Sequence, residues 1–247
     1  MNWVLMTARG CLPLTIKSVE SLLRQTVETG ILVVNQGSKD GTALWLDRNR
    51  SDRLLAANFY PAFRSLSEAW NWGLAYLFRN NEHVLVVNND TVFRQDTYER
   101  LLKHQAEKGR HFVSAVSVDN KEQFERGQAD FEGERPHPDF SCFLMDKECW
   151  ERVGLFDRHF RPCYNEDQDY HRRLGLAGIK AISIDLPFLH FRSSTIKDNG
   201  KDARRVSKWT RLRQDYYKEK WGALWPDEVY VEPFDGKKHE CKICQIR

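Results

Sequence analysis

Nothing in this 247-residue chain approaches the ~20 consecutive apolar residues needed to span a bilayer. The N-terminal Met1-Asn2-Trp3-Val4-Leu5-Met6 has no basic region and meets Thr7 and Arg9 too soon for a secretory signal, so a cytoplasmic location is expected. Cysteine is sparse: Cys11, Cys142, Cys149, Cys163, Cys241 and Cys244 are scattered, which favours reduced thiols over a disulfide framework. Charge of one sign is also lacking. A net +3 does not announce a nucleic-acid binder. There is no internal repeat and no low-complexity tract. What remains is 41% hydrophobic and 30% charged, with a mean hydropathy of −0.63. That composition suits a soluble chain with one large α/β domain, or one domain and a C-terminal extension.

The organising stretch is Val84-Leu85-Val86-Val87-Asn88-Asn89-Asp90-Thr91. Its apolar run reads as a strand buried on both faces, as in a parallel sheet. The polar residues that follow emerge at the carboxyl edge, where open α/β sheets place ligands. Asp90 is a candidate metal or substrate ligand there, and an ordinary Asn/Asp turn is the other reading.

Upstream, Trp3–Met6, Ile31–Val34 and Leu54–Ala57 read as strands. Helices after Pro13, from Ala43 to Asn49 and from Leu66 to Arg79 separate them, giving the β-α-β-α-β-α-β order of a right-handed parallel sheet. Downstream, Asp96–Lys108 is a helix and Phe112–Val116 a strand; residues 119–139 are polar and read as a mobile loop or flap. Phe140–Met145 returns to strand, Lys147–Val153 is a short helix, and Glu166–Ala177 is a helix ended by Gly178. Ala181–Ile184 and Phe188–His190 read as two strands. From Lys197 to Lys220, nine Lys/Arg face four Asp/Glu on an expected helix carrying Trp209, Leu212, Tyr216 and Trp221. Residues 222–247 read as an extension wrapping the domain.

Two loops carry chemistry. Asn35-Gln36-Gly37-Ser38-Lys39-Asp40-Gly41-Thr42 follows a parallel strand and precedes a helix, where backbone amides meet a phosphate or nucleoside. It lacks the Gly-Lys-Ser/Thr of a P-loop and the three spaced glycines of a dinucleotide fingerprint, and a plain solvent turn is the alternative. The second loop is Cys163-Tyr164-Asn165-Glu166-Asp167-Gln168-Asp169-Tyr170. Three carboxylates crowd the start of a helix that needs one or two for capping. Crowded carboxylates raise one another's pKa, which suits a general base near neutrality.

Together these motifs resemble those of family 2 glycosyltransferases. Asn35 to Thr42 is similar to their "DNGSTDGT" loop, and Asn88-Asn89-Asp90-Thr91 to their DxD-type motif in its rhamnosyltransferase-like form. Val153-Gly154-Leu155-Phe156-Asp157 followed by Asn165 to Asp169 resembles their "VGGFDE…EDxD" block, and Tyr216 to Gly222 a tail of short stand-alone members. The order agrees over roughly residues 3 to 195. The resemblance implies an α/β GT-A fold with a mostly parallel central sheet and a C-terminal helical or extended tail. Its halves would be residues 1–92 for the nucleotide sugar and 93–195 for the acceptor, with 196–247 as basic helix and tail. It further implies inverting, hexosyl-type sugar transfer from a nucleotide-sugar donor to a glycan or glycolipid acceptor, assisted by a divalent cation, Mn²⁺ or Mg²⁺. Asp90 and His190 would be the metal ligands, although a hydrogen-bonded histidine at a strand end is an equal reading of His190. Asp167 would be the base and Glu166 its support or an acceptor contact. Thr7, Arg9, Asn35, Asp40, Asn71, Asn88 and Asn89 would contact the nucleotide sugar.

The departures carry information. Asn35 stands where many members have Asp, and an amide both donates and accepts, so their base preference does not transfer. Asn88 leaves Asp90 as the one certain carboxylate of its motif. A carboxylate–imidazole pair is less hard than two carboxylates, which predicts that Mn²⁺ serves at least as well as Mg²⁺. Three further readings stay open. The basic helix from Arg204 to Trp221 is a solvated face or a phosphate-binding surface, and in the second case the acceptor is a hydroxymethylated DNA base taken out of the stack. His239, Cys241 and Cys244 form an H-x-C-x-x-C group whose fourth zinc ligand would be Cys163 or His171. The Asn replacements also fit a non-catalytic sugar-nucleotide-binding protein.

Overall fold

A computed structural model describes residues 1–129, 131–191 and 200–239, and the side chains of all of these but 200–203 and 205. The first half alternates strand and helix as the apolar runs require. β1 (Asn2–Ala8), β2 (Thr29–Asn35), β3 (Leu54–Asn58) and β4 (His83–Asn88) lie parallel in the order β3-β2-β1-β4. Alternate strand residues point to opposite faces. Val4, Met6, Ile31, Val33, Leu85 and Val87 therefore face α1 (Leu12–Leu23) and α4 (Thr97–Lys108), while Leu5, Leu32, Val34, Val84 and Val86 face α3 (Leu66–Leu77). Each fully buried aliphatic side chain of this kind contributes roughly 1.5–3 kcal/mol. α3 lies so close to β1 that a Cβ at Gly73 would fall 2.2 Å from Leu5. α2 (Thr42–Arg48) follows the β2 loop.

Beyond β4 the sheet continues with β8 (Cys142–Asp146), β6 (Phe112–Val118), β9 (Ala181–His190) and β5 (Thr91–Val92). β8 is antiparallel to both β4 and β6, whereas β6 and β9 are parallel. The expected pair of strands at 181–190 is one strand through Pro187, with a break in register against β6: Ser114 pairs with Ser183 and Val116 with Pro187, so the extra residues are on β9. The expected flap is also more structured than its composition suggested. It holds α5 (Lys121–Arg126) and β7 (Glu134–Pro136), which pairs antiparallel with β9. Glu134 anchors it to Arg110 at 2.7 Å, His104 at 2.9 Å and Lys180 at 3.2 Å. These bonds are made to residues distant in sequence, which a local pattern does not register.

α6 (Lys147–Val153) and α7 (Glu166–Leu176) cover the same face as α3. The C-terminal α8 (Gly200–Trp221) packs Tyr216, Tyr217 and Trp221 on Phe160 in a separate small cluster. After it the chain turns back: the Val229 and Tyr230 amides donate to the Trp221 carbonyl, and Arg172 donates to the Tyr230 carbonyl. Among the described residues, no helix is long and apolar enough to cross a membrane.

Candidate active site

The carboxyl ends of β1 and β4 open into a cavity of about 610 Å³. The strand ends contribute Thr7, Arg9, Gln36, Asn88, Asn89, Asp90 and His190 to its lining; the flap and the start of α7 contribute Arg135, His137, Asp139, Tyr164, Glu166 and Asp167. The two carboxylates singled out from sequence, Asp90 and Asp167, thus share one cleft although 77 positions separate them (167 − 90).

Asp90 is held by backbone pairing. β4 ends at Asn88, a tight turn follows, and β5 pairs Thr91 with His190 in register. The Asp90 carbonyl accepts from the Phe191 amide at 2.9 Å, and Thr91 Oγ1 donates to the Asn88 carbonyl at 2.7 Å. Asn89 Nδ2 donates to the Gly10 carbonyl and to Thr15 Oγ1, pinning the turn to the start of α1. His190 Nε2 lies 3.3 Å from Asp90 Oδ1, and both side chains are nearly buried. Asn89 thus braces the turn, and it lines the cavity together with Thr7, Arg9 and Asn88.

Three expected donor contacts are occupied elsewhere. Asn35 is fully buried; its Oδ1 accepts from the Ser38 amide and hydroxyl, and its Nδ2 donates to Asn58 Oδ1. Asp40 accepts from the Leu12 amide at 2.7 Å and from the Thr42 hydroxyl at 2.6 Å, joining the starts of α1 and α2. Burial works to raise its pKa, but these bonds prevail and hold it below the ordinary carboxylate value. Asn71 closes a two-bond clamp on the Phe156 backbone, both bonds at 2.8 Å. None of the three lines the cavity. Motif position fixes where such a residue sits in the chain, not where its side chain points.

The opposite carboxylates are presented by strained backbone. Tyr164 and Asn165 both adopt left-handed conformations, with φ of 75° and 70°. Each such non-glycine residue costs of order 1–3 kcal/mol and persists only where surrounding contacts impose it. The double turn brings Glu166 and Asp167 to the cavity at the first turn of α7. Glu166 is 4% exposed, and its Oε2 has no hydrogen-bond partner among the described residues. Burial first, then the charge of Asp167, pushes its pKa up to about 8, with Arg213 pulling the other way. Burial also raises Asp167, whose Oδ1 accepts from the Gln168 amide. At neutral pH this arrangement keeps a proton on Glu166 beside the more accessible Asp167.

The third acid of the cluster has a separate task. Asp169 is fully buried and accepts from Lys220 at 2.5 Å, Trp221 Nε1 at 2.9 Å and Arg173 at 3.0 Å. Lys220 also reaches Asp157 at 2.7 Å, where Tyr216 donates a further bond. α8 is thus locked to the back of α7. Arg213, 2% exposed, donates to the Arg161 carbonyl and lies over the Tyr164 ring. Two of the cations on this basic helix are consequently turned inward, leaving Arg204, Lys208, Arg211 and Lys218 exposed. Residues that sequence reasoning missed lie mostly on the flap: Arg135, His137, Pro138 and Phe140 line the cavity, and His137 has a left-handed φ of 73°. The polar composition of that segment gave no sign of them.

Cys241 and Cys244 lie outside the described residues. His239 stacks on Phe234 at 4.0 Å, and Cys163 lines the cavity. Among the described residues, no three His, Cys, Asp or Glu side chains cluster to hold a metal.

The family model for glycosyl transferase family 2 matches residues 3–170. The chain belongs to that family. Its α/β GT-A-like fold supports nucleotide-sugar transfer in general terms. No curated protein matches the chain by sequence. Among solved structures it is similar to S. aureus TarS, with a TM-score of 0.62 at 14% identity over 85% of this chain and 39% of that one. A mannosyltransferase, PcManGT from Pyrobaculum calidifontis, in complex with GDP-Man and Mn²⁺, gives 0.61 at 19% identity over 87% and 63%. TarS residues 1–349 in complex with UDP give 0.60 at 13% over 88% and 75%. At these identities the likeness is one of fold, and the chain spans only about two fifths of that TarS chain. The family 2 match ends within α7, so α8 and the tail lie beyond it.

Proposed function

We propose that this family 2 protein is an inverting, metal-assisted glycosyltransferase moving a hexosyl group from a nucleotide sugar to an acceptor hydroxyl of a glycan or glycolipid. The observation that carries the reading is that Asp90–His190 and Glu166–Asp167, from distant parts of the chain, line one cavity. The donor set fits a borderline divalent cation: one carboxylate and one imidazole, with its remaining positions left to diphosphate oxygens and water. Bound there, such a cation would neutralise charge developing on the diphosphate leaving group. Asp90 and His190 hold the donor end through the rigid β5–β9 pair, and Thr7, Arg9 and Asn88 line the same wall. Asp167 takes the proton from the acceptor hydroxyl as its oxygen attacks the anomeric carbon. Glu166 stays protonated beside it, so that the pair carries a single negative charge.

A second reading, transfer to a hydroxymethylated base in DNA, draws on the cations of α8 that remain exposed. The inward turn of Arg213 and Lys220 and the presence of Asp215 and Glu219 on the same helix favour the glycan acceptor. A single assay separates these readings from a protein that only binds nucleotide sugars. Purified chain is incubated with a panel of nucleotide sugars and either Mn²⁺ or Mg²⁺, and release of nucleoside diphosphate is followed. The proposal expects release with at least one donor, Mn²⁺ serving at least as well as Mg²⁺, and no salt-sensitive retention of duplex DNA. Binding without release points to the non-catalytic reading, and a strict Mg²⁺ requirement contradicts the assigned ligand pair.

A further inference from the structure

The side chain next to Asn35 has a different environment. Gln36 is placed at the end of β1 by its amide, which donates to the Ala8 carbonyl at 2.8 Å. It lines the cavity beside Thr7 and Arg9. Among the described residues, none hydrogen-bonds its carboxamide, and its polar atoms are not sealed from solvent. Asn35, by contrast, has both ends of its amide engaged by Ser38 and Asn58 and shows no surface. Freeing Asn35 would break three internal hydrogen bonds, two from Ser38 and one to Asn58.

We infer that Gln36, and not Asn35, is the side chain that reads the nucleobase of the donor. This rests on the sugar-nucleotide reading above. A carboxamide offers an acceptor and a donor side by side. It therefore closes a two-bond pair with a base edge carrying a donor next to an acceptor: N–H beside C=O in uracil and guanine, amine beside ring nitrogen in cytosine and adenine. A carboxylate only accepts, so it would meet the second group of each edge with repulsion. The neutral amide at position 36 is suited to recognition by pairing, and the neighbouring walls decide which edge is presented to it.

The test is calorimetric titration of the full chain with UDP, GDP, CDP and ADP in the presence of Mn²⁺. The wild type is expected to prefer one nucleotide by about tenfold, the effect of two neutral hydrogen bonds. Gln36→Ala should bring that nucleotide to within about twofold of the others with Tm unchanged, since no internal bond is lost. Asn35→Ala should lower Tm and weaken all four alike. A preference that survives Gln36→Ala, or a wild type that binds all four equally, overturns the inference. So does an Asn35→Ala variant that loses the preference at unchanged Tm. A wild type that binds none of the four overturns the donor reading itself, and this inference with it.

Discussion

The two walls of the cleft are built differently. The Asp90 wall is fixed by main-chain pairing: β4 turns into β5, β5 pairs with β9, and Asn89 ties the turn to α1 through backbone and hydroxyl. The Asp167 wall is fixed by side chains, through two left-handed residues before α7 and a buried charge network behind it. Backbone pairing tolerates most side-chain changes. A wall held by buried ions and strained torsions does not, because an unpaired buried charge costs several kcal/mol. The contrast predicts that substitutions behind α7 reach the chemistry from a distance, whereas substitutions around β5 act only where they touch the ligand.

The largest expected effect lies on the side-chain wall. Asp167→Asn keeps volume and hydrogen-bonding shape, so Tm and nucleotide affinity should hold while the transfer rate falls ~10²–10⁴-fold. Wild-type turnover in that variant would remove Asp167 from the base role. Next comes Lys220→Met, which leaves Asp157 and Asp169 facing each other without their shared cation. Chemical denaturation should show a loss of about 3–5 kcal/mol, and a loss below 1 kcal/mol would mean that α8 is not locked to α7 as described. Asn71→Ala removes the Phe156 clamp and should lower stability by about 1–3 kcal/mol with nucleotide affinity retained. A selective loss of nucleotide binding would return Asn71 to the donor site.

The last contrast is a pH dependence whose sign separates the two kinds of acid. Glu166 has a folded pKa of about 8, above its unfolded value near 4.3. Its protonated form favours the fold below that unfolded value, and the benefit is lost as pH rises through about 8. Asp157 is the opposite case. Burial opposes its ionisation, but His159 and Lys220 outweigh it, so its pKa is lowered and its stabilisation is lost as the solution turns acidic. Glu166→Gln should therefore gain Tm over wild type progressively between about pH 5 and 8. An equal Tm difference at both ends would show that Glu166 ionises normally.

The parallel half of the sheet was legible in sequence because each strand is a long apolar run closed by a turn. That Asp90 and Asp167 would line one cavity was legible because the carboxyl end of a strand and the start of a helix are where an open α/β sheet forms its cleft. β5 and β7 were not, being two and three residues long and stabilised only by partners far along the chain. Asn35, Asp40 and Asn71 sat in the right motifs yet lie outside the cavity lining, each engaged by hydrogen bonds within the fold, since motif order says nothing of side-chain direction. The crowding of Glu166, Asp167 and Asp169 was visible in the sequence, but only the folded chain separates them: Glu166 and Asp167 line the cavity, whereas Asp169 is bonded to Lys220, Trp221 and Arg173.

β9 runs unbroken beneath both walls, pairing with β7 of the flap at Ile182–Ile184 and with β5 at Leu189–His190. It acts as a ruler: one ten-residue strand carries both the flap and the β5 turn, so the spacing between those two parts of the cavity lining is set by a single backbone. Moving the flap relative to Asp90 would therefore mean breaking its pairing with β9 and not merely turning a loop.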